Sequence, residues 1–400
     1  MFNSLNKRSF LVMLFVSVLL VNVIGNNSLG ATNNIINNSA AGVNPVITWN
    51  HLISQLGVEE KLPTTTLIRA YALVHAAIYD SLLSHEMQEY DVNKVDEIAS
   101  IASAASTVMT YLFPNANSSI NQLQNSYTPM GLSANNSTSF AKSVRLGHDK
   151  GQRIVLFAQH DELANEFHGH VPKGPCTWTG INPLTPMAGY WKTYILKSGA
   201  EIQPPPPYSC GSKEDKSNMQ GVLKVSNNRT SQQIAAAHHW GDTPVSTTWN
   251  NILADYIKRN NIGLFDSARA FAYLNVAMHD SIISTWYTKY TYWTARPFQR
   301  IANFTTVIPT PNHPSYTSGA SAISAAASDV LSDLFSKGAF YFTSQAVQAS
   351  LSRLWAGIHS KESIDSGFNV GRQIGKRIVE DMHAGFHPLV CCANSTYLIR

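Results

Sequence analysis

Two sixteen-residue stretches, two hundred positions apart, carry one and the same pattern. Arg69-Ala-Tyr-Ala-Leu-Val-His-Ala-Ala-Ile-Tyr-Asp80-Ser-Leu-Leu-Ser84 aligns with Arg269-Ala-Phe-Ala-Tyr-Leu-Asn-Val-Ala-Met-His-Asp280-Ser-Ile-Ile-Ser284, with seven identities and mostly swaps in kind elsewhere. Self-similarity at a fixed separation marks a repeated structural unit. The repeated unit is helical. Within 66–84, apolar residues fall at 67, 68, 71, 73, 74, 78, 82 and 83, which on a helix makes one wide buried stripe. Helical patterning also covers 99–113 and 138–165, then 230–240, 247–260, 264–290, 319–336, 343–355 and 361–383. Strand-like alternation is nearly absent. The expected fold class is all-α: two helical bundles related by an internal duplication.

The ends and the middle of the chain read differently. Lys7 and Arg8 precede an apolar run from Phe10 to Gly25 broken by Ser17 and Asn22, the pattern of a secretory signal peptide over 1–31. Gly25, Gly30 and Ala31 offer alternative cleavage points. An uncleaved anchor is the competing reading, and the run is somewhat short for it. Residues 26–46 are Asn-rich and aperiodic, so 32–62 is expected to be a spacer leading into a first helical half at 63–167. Gly174-Pro175, Gly180, Pro183, Pro186 and Pro204–Pro207 mark 168–229 as an irregular connecting loop, and 230–400 as the second half. The protein is expected to be secreted or extracytoplasmic, with no stable membrane span after processing. A net charge of +4, which includes Lys7 and Arg8, is too weak to argue for a nucleic-acid or membrane-surface partner. Cys176 and Cys210 lie in the connecting loop, where a bridge is reasonable in an oxidising compartment. Adjacent Cys391 and Cys392 would not easily bridge each other, and no zinc-type spacing exists.

Three stretches of the second half suggest one site. Lys289 and Arg296 are seven apart, a spacing that returns to the same face of a helix, and Pro297 turns the chain at Arg296. Ser318 and Gly319 open an Ala-rich helix, whose unpaired N–H groups suit an anion. Arg353 and His359 are six apart, with another helix signalled beyond Ser360. Singly these read as solvated cations, a capped helix and a structural histidine. In combination they could wrap one tetrahedral oxyanion, the requirement of phosphoryl transfer or of halide oxidation at bound vanadate.

The ordered combination resembles the superfamily of vanadium-dependent haloperoxidases and type 2 phosphatidic acid phosphatases, in its bacterial and archaeal haloperoxidase-like branch. The family pattern is Lys-x6-Arg-Pro, then Pro-Ser-Gly-His, then Ser-Arg-x5-His-x3-Asp. The first motif is complete in Lys289-Tyr-Thr-Tyr-Trp-Thr-Ala-Arg296-Pro297, and the third is matched as far as its histidine by Ser352-Arg353-Leu-Trp-Ala-Gly-Ile-His359. The likeness extends over most of the chain after residue 60. It implies that His359 binds vanadium in a haloperoxidase or becomes phosphorylated in a phosphatase. Lys289, Arg296 and Arg353 would neutralise the oxyanion, with Ser318 and the Gly319 N–H completing the cradle. Implied partners are a small oxyanion with peroxide and halide, or a phosphate ester; the implied cofactor is vanadate, or none for a phosphatase. A non-catalytic anion-binding relative is the third reading. The chain departs from the pattern twice. Ala320 stands where the family has a proton-transferring histidine, and Ser363 where it has the aspartate that orients the site histidine. Asp365 is turned roughly 200° away on a helix. His313, seven residues before Ala320, and His279, His238 and His239 are the other imidazoles to weigh. His168-Gly-His170 lacks a third metal ligand at natural spacing.

Overall fold

A computed structural model of the chain describes residues 44–86, 94–127 and 137–387; the expected signal peptide, Cys391 and Cys392 lie outside them. The described residues contain thirteen α-helices and no strand: α1 Pro45–Glu59, α2 Thr64–Glu86, α3 Lys94–Leu112, α4 Asn117–Tyr127, α5 Ser137–Gln159, α6 Lys213–Asn227, α7 Ser231–His239, α8 Val245–Asn260, α9 Leu264–Tyr292, α10 Pro297–Arg300, α11 Gly319–Leu334, α12 Ala339–Trp355 and α13 Lys361–His383. The all-α expectation holds. No helix among the described residues is long and apolar enough to cross a membrane.

The repeat runs further than its sixteen-residue echo. Thr48-Trp49-Asn50 in α1 recurs as Thr248-Trp249-Asn250 in α8. Each helix ends at a left-handed residue in the same register, Lys61 at φ 52° and Asn261 at φ 51°. The next residues, Leu62 and Ile262, then donate back to the carbonyls of Gly57 and Ile257. Asn50 bonds to His75 of α2 at 3.1 Å, and Asn250 bonds to Asn275 of α9 at 2.9 Å. Thus α1–α2 and α8–α9 are copies. The stretch 32–62, read above as spacer, therefore holds a core helix. Val46, Ile47, Trp49, Leu52, Ile53 and Leu56 form its buried stripe, and the Asn-rich run before it masks that pattern.

Close helix packing is duplicated too. α5 and α13 are both 23 residues long, with glycine at the eleventh and fifteenth positions of each: Gly147 and Gly151, Gly371 and Gly375. A Cβ at Gly147 would lie 2.2 Å from the Ser100 carbonyl oxygen of α3, and one at Gly371 would lie 2.1 Å from the Ala322 carbonyl oxygen of α11. Bare backbone at these positions lets each helix pair approach to contact. Central helices α2 and α9 pack on each other, and one apolar core draws on both halves. The halves differ in one link. Residues 87–93 join α2 to α3, whereas 293–318 join α9 to α11. Arg296, His313 and Ser318 all belong to that longer link.

The connecting loop lies across the second half. Asp280 of α9 accepts hydrogen bonds from the backbone N–H groups of Tyr194, Ile195 and Leu196. Cys176 and Cys210 are disulfide-bonded, with Cα atoms 5.9 Å apart. Thr177 pairs with Thr294 beside the long link. The loop region also contains α6, whose only buried residues are Asp215 and Val222. So sparse a stripe gives little periodicity to read.

Gly371→Ala is expected to destabilise the fold by about 2–3 kcal/mol through overpacking. Gly221→Ala in α6, where nothing lies within 4 Å, is expected to stabilise it by up to about 1 kcal/mol. Urea unfolding of both variants checks the pair. His75 gives a second expectation. Its buried ring stacks on Phe271 at 4.6 Å, and burial pushes its pKa down to about 3. Below pH 6.5 the unfolded chain takes up a proton that the folded ring refuses, so stability present above 6.5 is lost as pH falls towards 3. The loss attributable to His75 is on the order of 2 kcal/mol at pH 5. His75→Asn, which copies Asn275, should shrink the drop in stability between pH 7.5 and 5 by about that amount.

Candidate functional site

Lys289 stands in the last turn of α9, which ends when Trp293 turns left-handed at φ 49°. Arg296 follows as the extended N-cap of α10, at φ −76° and ψ 156°. The two cations therefore converge across a break in the chain: Arg296 stands at an element end before Pro297, as expected, and the helix itself stops earlier, at Trp293. Lys289 Nζ donates to the carbonyls of Pro314 at 2.9 Å and Ser315 at 2.8 Å. Arg296 Nε donates to the His313 carbonyl at 2.9 Å, and its NH1 donates to the Ile358 carbonyl at 3.0 Å. The same NH1 lies 2.9 Å from His359 Nε2, while NH2 lies 3.1 Å from His313 Nδ1. One guanidinium spans both imidazoles.

The tautomer of His359 follows from its partners. Arginine can only donate, so Nε2 carries the lone pair and Nδ1 the proton. Nδ1 lies 2.9 Å from Ser363 Oγ, and Ser363 Oγ donates to the Ser315 carbonyl at 3.3 Å. Ser363 thus holds the His359 ring by Nδ1 from one helical turn beyond it, with a hydroxyl and no charge. Gly367 sits one turn further along α13, where a Cβ would be 2.4 Å from the Ser318 carbonyl oxygen. The bare backbone there brings the start of α11 against α13, and Ser318 N donates to the Ser363 carbonyl at 3.0 Å.

Burial dominates the electrostatics. Lys289 and Arg296 are 0% exposed and Arg353 is 5% exposed. Among the described residues, none of the three forms an ion pair with a carboxylate. Asp242, the acid whose field reaches Arg353, lies at the surface beside His238. Burial pushes Arg296 down to about 9 and Arg353 down to about 10. Burial, then the charge of Arg296, holds Lys289 well below the usual lysine range. Burial and the neighbouring cations Arg296 and Lys289 also hold His359 and His313 well below 6.5. Both rings are neutral at physiological pH, and the Nε2 lone pair of His359 is available as a ligand or nucleophile.

Other expected site residues stand further out. Arg353 Nε donates to Ser352 Oγ at 3.0 Å, and its NH2 lies 3.5 Å from the Ala237 carbonyl of α7. Its charge still reaches His359. Ser318 Oγ is engaged in its own helix, accepting from Ser321 N and Ser321 Oγ. Gly319 packs against Trp286, whose Cζ3 would be 3.2 Å from a Cβ. Ala320 is partly buried against the core. His279 faces Asp280 and Tyr194, His238 faces Asp242, and His239 packs edge-on to Trp240. His168 and His170 are exposed, and neither belongs to a group of three metal-ligating residues among those described.

Three further residues stand at the cluster: His313, weighed above as an alternative imidazole, and Ser315 and Trp286, given no role above. His313 reaches the cluster because 313–318 folds back over Lys289. Ser315 places its Oγ 3.5 Å from His359 Nδ1. Trp286 packs at a tilt against His313, ring centres 4.7 Å apart, and lies 5.7 Å from Lys289 Nζ. Trp286 precedes Lys289 by three residues, the helical neighbour spacing that could have flagged it. On the Nδ1 side of His359, a cavity of about 50 Å³ is lined by Ser315, Tyr316, Ser360, Glu362, Ser363 and Asp215, among others.

Because Ser363 holds Nδ1 without charge, Ser363→Asp is expected to raise the pKa of His359 relative to Ser363→Ala. An NMR titration of the imidazole reads the difference. Equal values in the two variants would contradict the assigned tautomer and its partner.

No family model matches the chain, and no curated protein does so either. Solved structures do. A bacterial vanadium-dependent iodoperoxidase superposes with a TM-score of 0.71 at 20% identity, covering 90% of this chain and 98% of that one. An apo-type bacterial vanadium-dependent chloroperoxidase gives 0.68 at 16% identity, covering 82% and 94%. A holo-type bacterial vanadium-dependent chloroperoxidase gives 0.67 at 15% identity, covering 93% and 100%. At these identities the likeness establishes a shared fold: the chain has the all-helical fold of the vanadium haloperoxidases.

Proposed function

We propose that this protein is an exported oxyanion-binding protein of the haloperoxidase type, which takes vanadate at His359 and oxidises a halide with hydrogen peroxide. The observation that carries the reading is the buried charge. Lys289, Arg296 and Arg353 are held out of water with no carboxylate in contact, an arrangement that costs several kcal/mol per ion unless an anion offsets it. A tetrahedral oxyanion fits this donor set. Lys289 has three N–H groups and spends two on carbonyls. Arg296 offers a planar fork suited to two oxygens of one anion. His359 contributes a neutral nitrogen oriented from behind by Ser363. Vanadate held there would supply Lewis-acid activation of hydrogen peroxide towards the halide. The protein's own part is to neutralise the anion, to fix the His359 tautomer and to exclude water.

The same Nε2 lone pair supports a second reading, an acid phosphatase in which His359 attacks the phosphorus of a phosphate ester. Vanadate and phosphate share shape and charge, so the donor set serves either. A protein that binds the anion without turning anything over is the third outcome.

Purified protein equilibrated with orthovanadate is expected to brominate a phenolic dye with peroxide and bromide. Hydrolysis of p-nitrophenyl phosphate without bromination would select the phosphatase. Independently of activity, orthovanadate or phosphate at a hundredfold excess over Kd should stabilise the fold by about 2.7 kcal/mol. Thermal unfolding reads this as a rise in Tm that His359→Ala and Arg296→Ala weaken. An unchanged Tm in the unsubstituted protein would sink the oxyanion reading.

A further inference from the structure

Halide oxidation by peroxide consumes a proton: hydrogen peroxide, halide and one proton give hypohalous acid and water. The O–O bond breaks, an oxygen–halogen bond forms, the halide gives up two electrons, and the departing oxygen takes the proton. Some group in the site must deliver it. Arg296 and Arg353 hold their protons at working pH. His359 commits Nδ1–H to Ser363 and its other nitrogen to the anion. Lys289 keeps two N–H groups on carbonyls and gives its third to the anion as counter-charge. His313 remains.

We propose that His313 is the proton-transfer residue of this site, handing its proton to the departing peroxide oxygen; this rests on the oxyanion reading above. The geometry is that of one guanidinium shared by two rings. Arg296 NH1 meets His359 Nε2 at 2.9 Å and NH2 meets His313 Nδ1 at 3.1 Å. An anion drawn to Arg296 and seated on His359 Nε2 therefore has His313 on the far side of the same fork. The ring is held for the task. Trp286 of α9 packs against it with ring centres 4.7 Å apart, and its Nδ1 lies 3.1 Å from the Pro314 carbonyl. In the neutral ring Nδ1 accepts from Arg296; once an oxyanion draws the guanidinium away, an imidazolium can place one proton on that carbonyl and present the other at Nε2. The preceding residue is clamped to the connecting loop, with Asn312 Nδ2 donating to the carbonyls of Ile181 and Asn182 and Leu184 N donating to the Asn312 carbonyl.

The charged groups facing His313 are Arg296 from the long link and Lys289 from α9; both favour the neutral ring. A bound oxyanion offsets both charges, so the ring gains a proton when the site fills. The chain thus loads its proton donor only in the anion-bound state, before peroxide reacts.

Calorimetric titration with orthovanadate, and separately with phosphate, at pH 6 in buffers of different ionisation enthalpy counts the protons taken up per anion. The unsubstituted protein is expected to take up close to one proton more than His313→Gln or His313→Phe; the second variant keeps an aromatic ring against Trp286. At pH 6 both variants should bind the anion about tenfold more weakly, the share linked to one proton, while bromination kcat falls further, by about 10²–10⁴. Equal proton uptake would overturn the inference. So would loss of anion affinity in step with kcat, which would make His313 a prop for Arg296. Anion binding without bromination by the unsubstituted protein overturns the inference and leaves the anion site standing. No anion binding at all overturns the oxyanion reading, and this inference with it.

Discussion

The Arg296 guanidinium is the interaction on which the site depends. Its Nε and NH1 bind the carbonyls of His313 and Ile358, and its outer nitrogens meet two histidines. Through these bonds it ties the long link to the turn that opens α13. A planar fork of five donors can do this, whereas a lysine at the same place would satisfy fewer partners. The arrangement has a cost, because the charge is buried beside Lys289 with carbonyls and imidazoles around it and no carboxylate. Carbonyl dipoles solvate the cations enough for the chain to fold. They do not cancel the charge, and the uncancelled part is what an oxyanion would meet.

The duplication explains where such a site can be built. Both halves use the same helix pairs, the same left-handed turn after the first helix and the same glycines at the close-packed crossing. These shared features make a scaffold that stands without a site. In the second half the link after the central helix is longer, and it carries Arg296, His313 and Ser318 over the end of α9. Gly367 then lets that link close onto α13, where the first half has Ser143 at the matching position. One bundle serves as structure and its copy serves as structure plus a cationic pocket.

Much of this was legible in the sequence. α13 stands out by its apolar stripe, and α2 and α9 by long apolar, Ala-rich runs that are buried on nearly every face. The weakly striped α6 does not, and α1 is hidden beside an Asn-rich run. Lys289, Arg296 and His359 could be placed together from motif order, but the reason they meet could not. Pro297 signals a turn at Arg296, but not that the helix already ends at the left-handed Trp293, three residues earlier. His313 is a candidate substitute acid in the sequence, but its distance along the chain from the Ser-Gly turn gives no reason to place it there. Its proximity to Arg296 comes from the link folding back, a long-range contact that no local period encodes. Ser363 shows a further limit. A residue type alone said that the orienting acid was lost, and only the geometry shows a hydroxyl keeping the tautomer.

A crystal structure determined after soaking with orthovanadate tests the central claim most directly. The account predicts density for a tetrahedral anion between Arg296 and His359 Nε2, with the guanidinium moved off the ring nitrogen and onto anion oxygens. An intact Arg296–His359 contact, with vanadate absent or bound only at the surface, would contradict it.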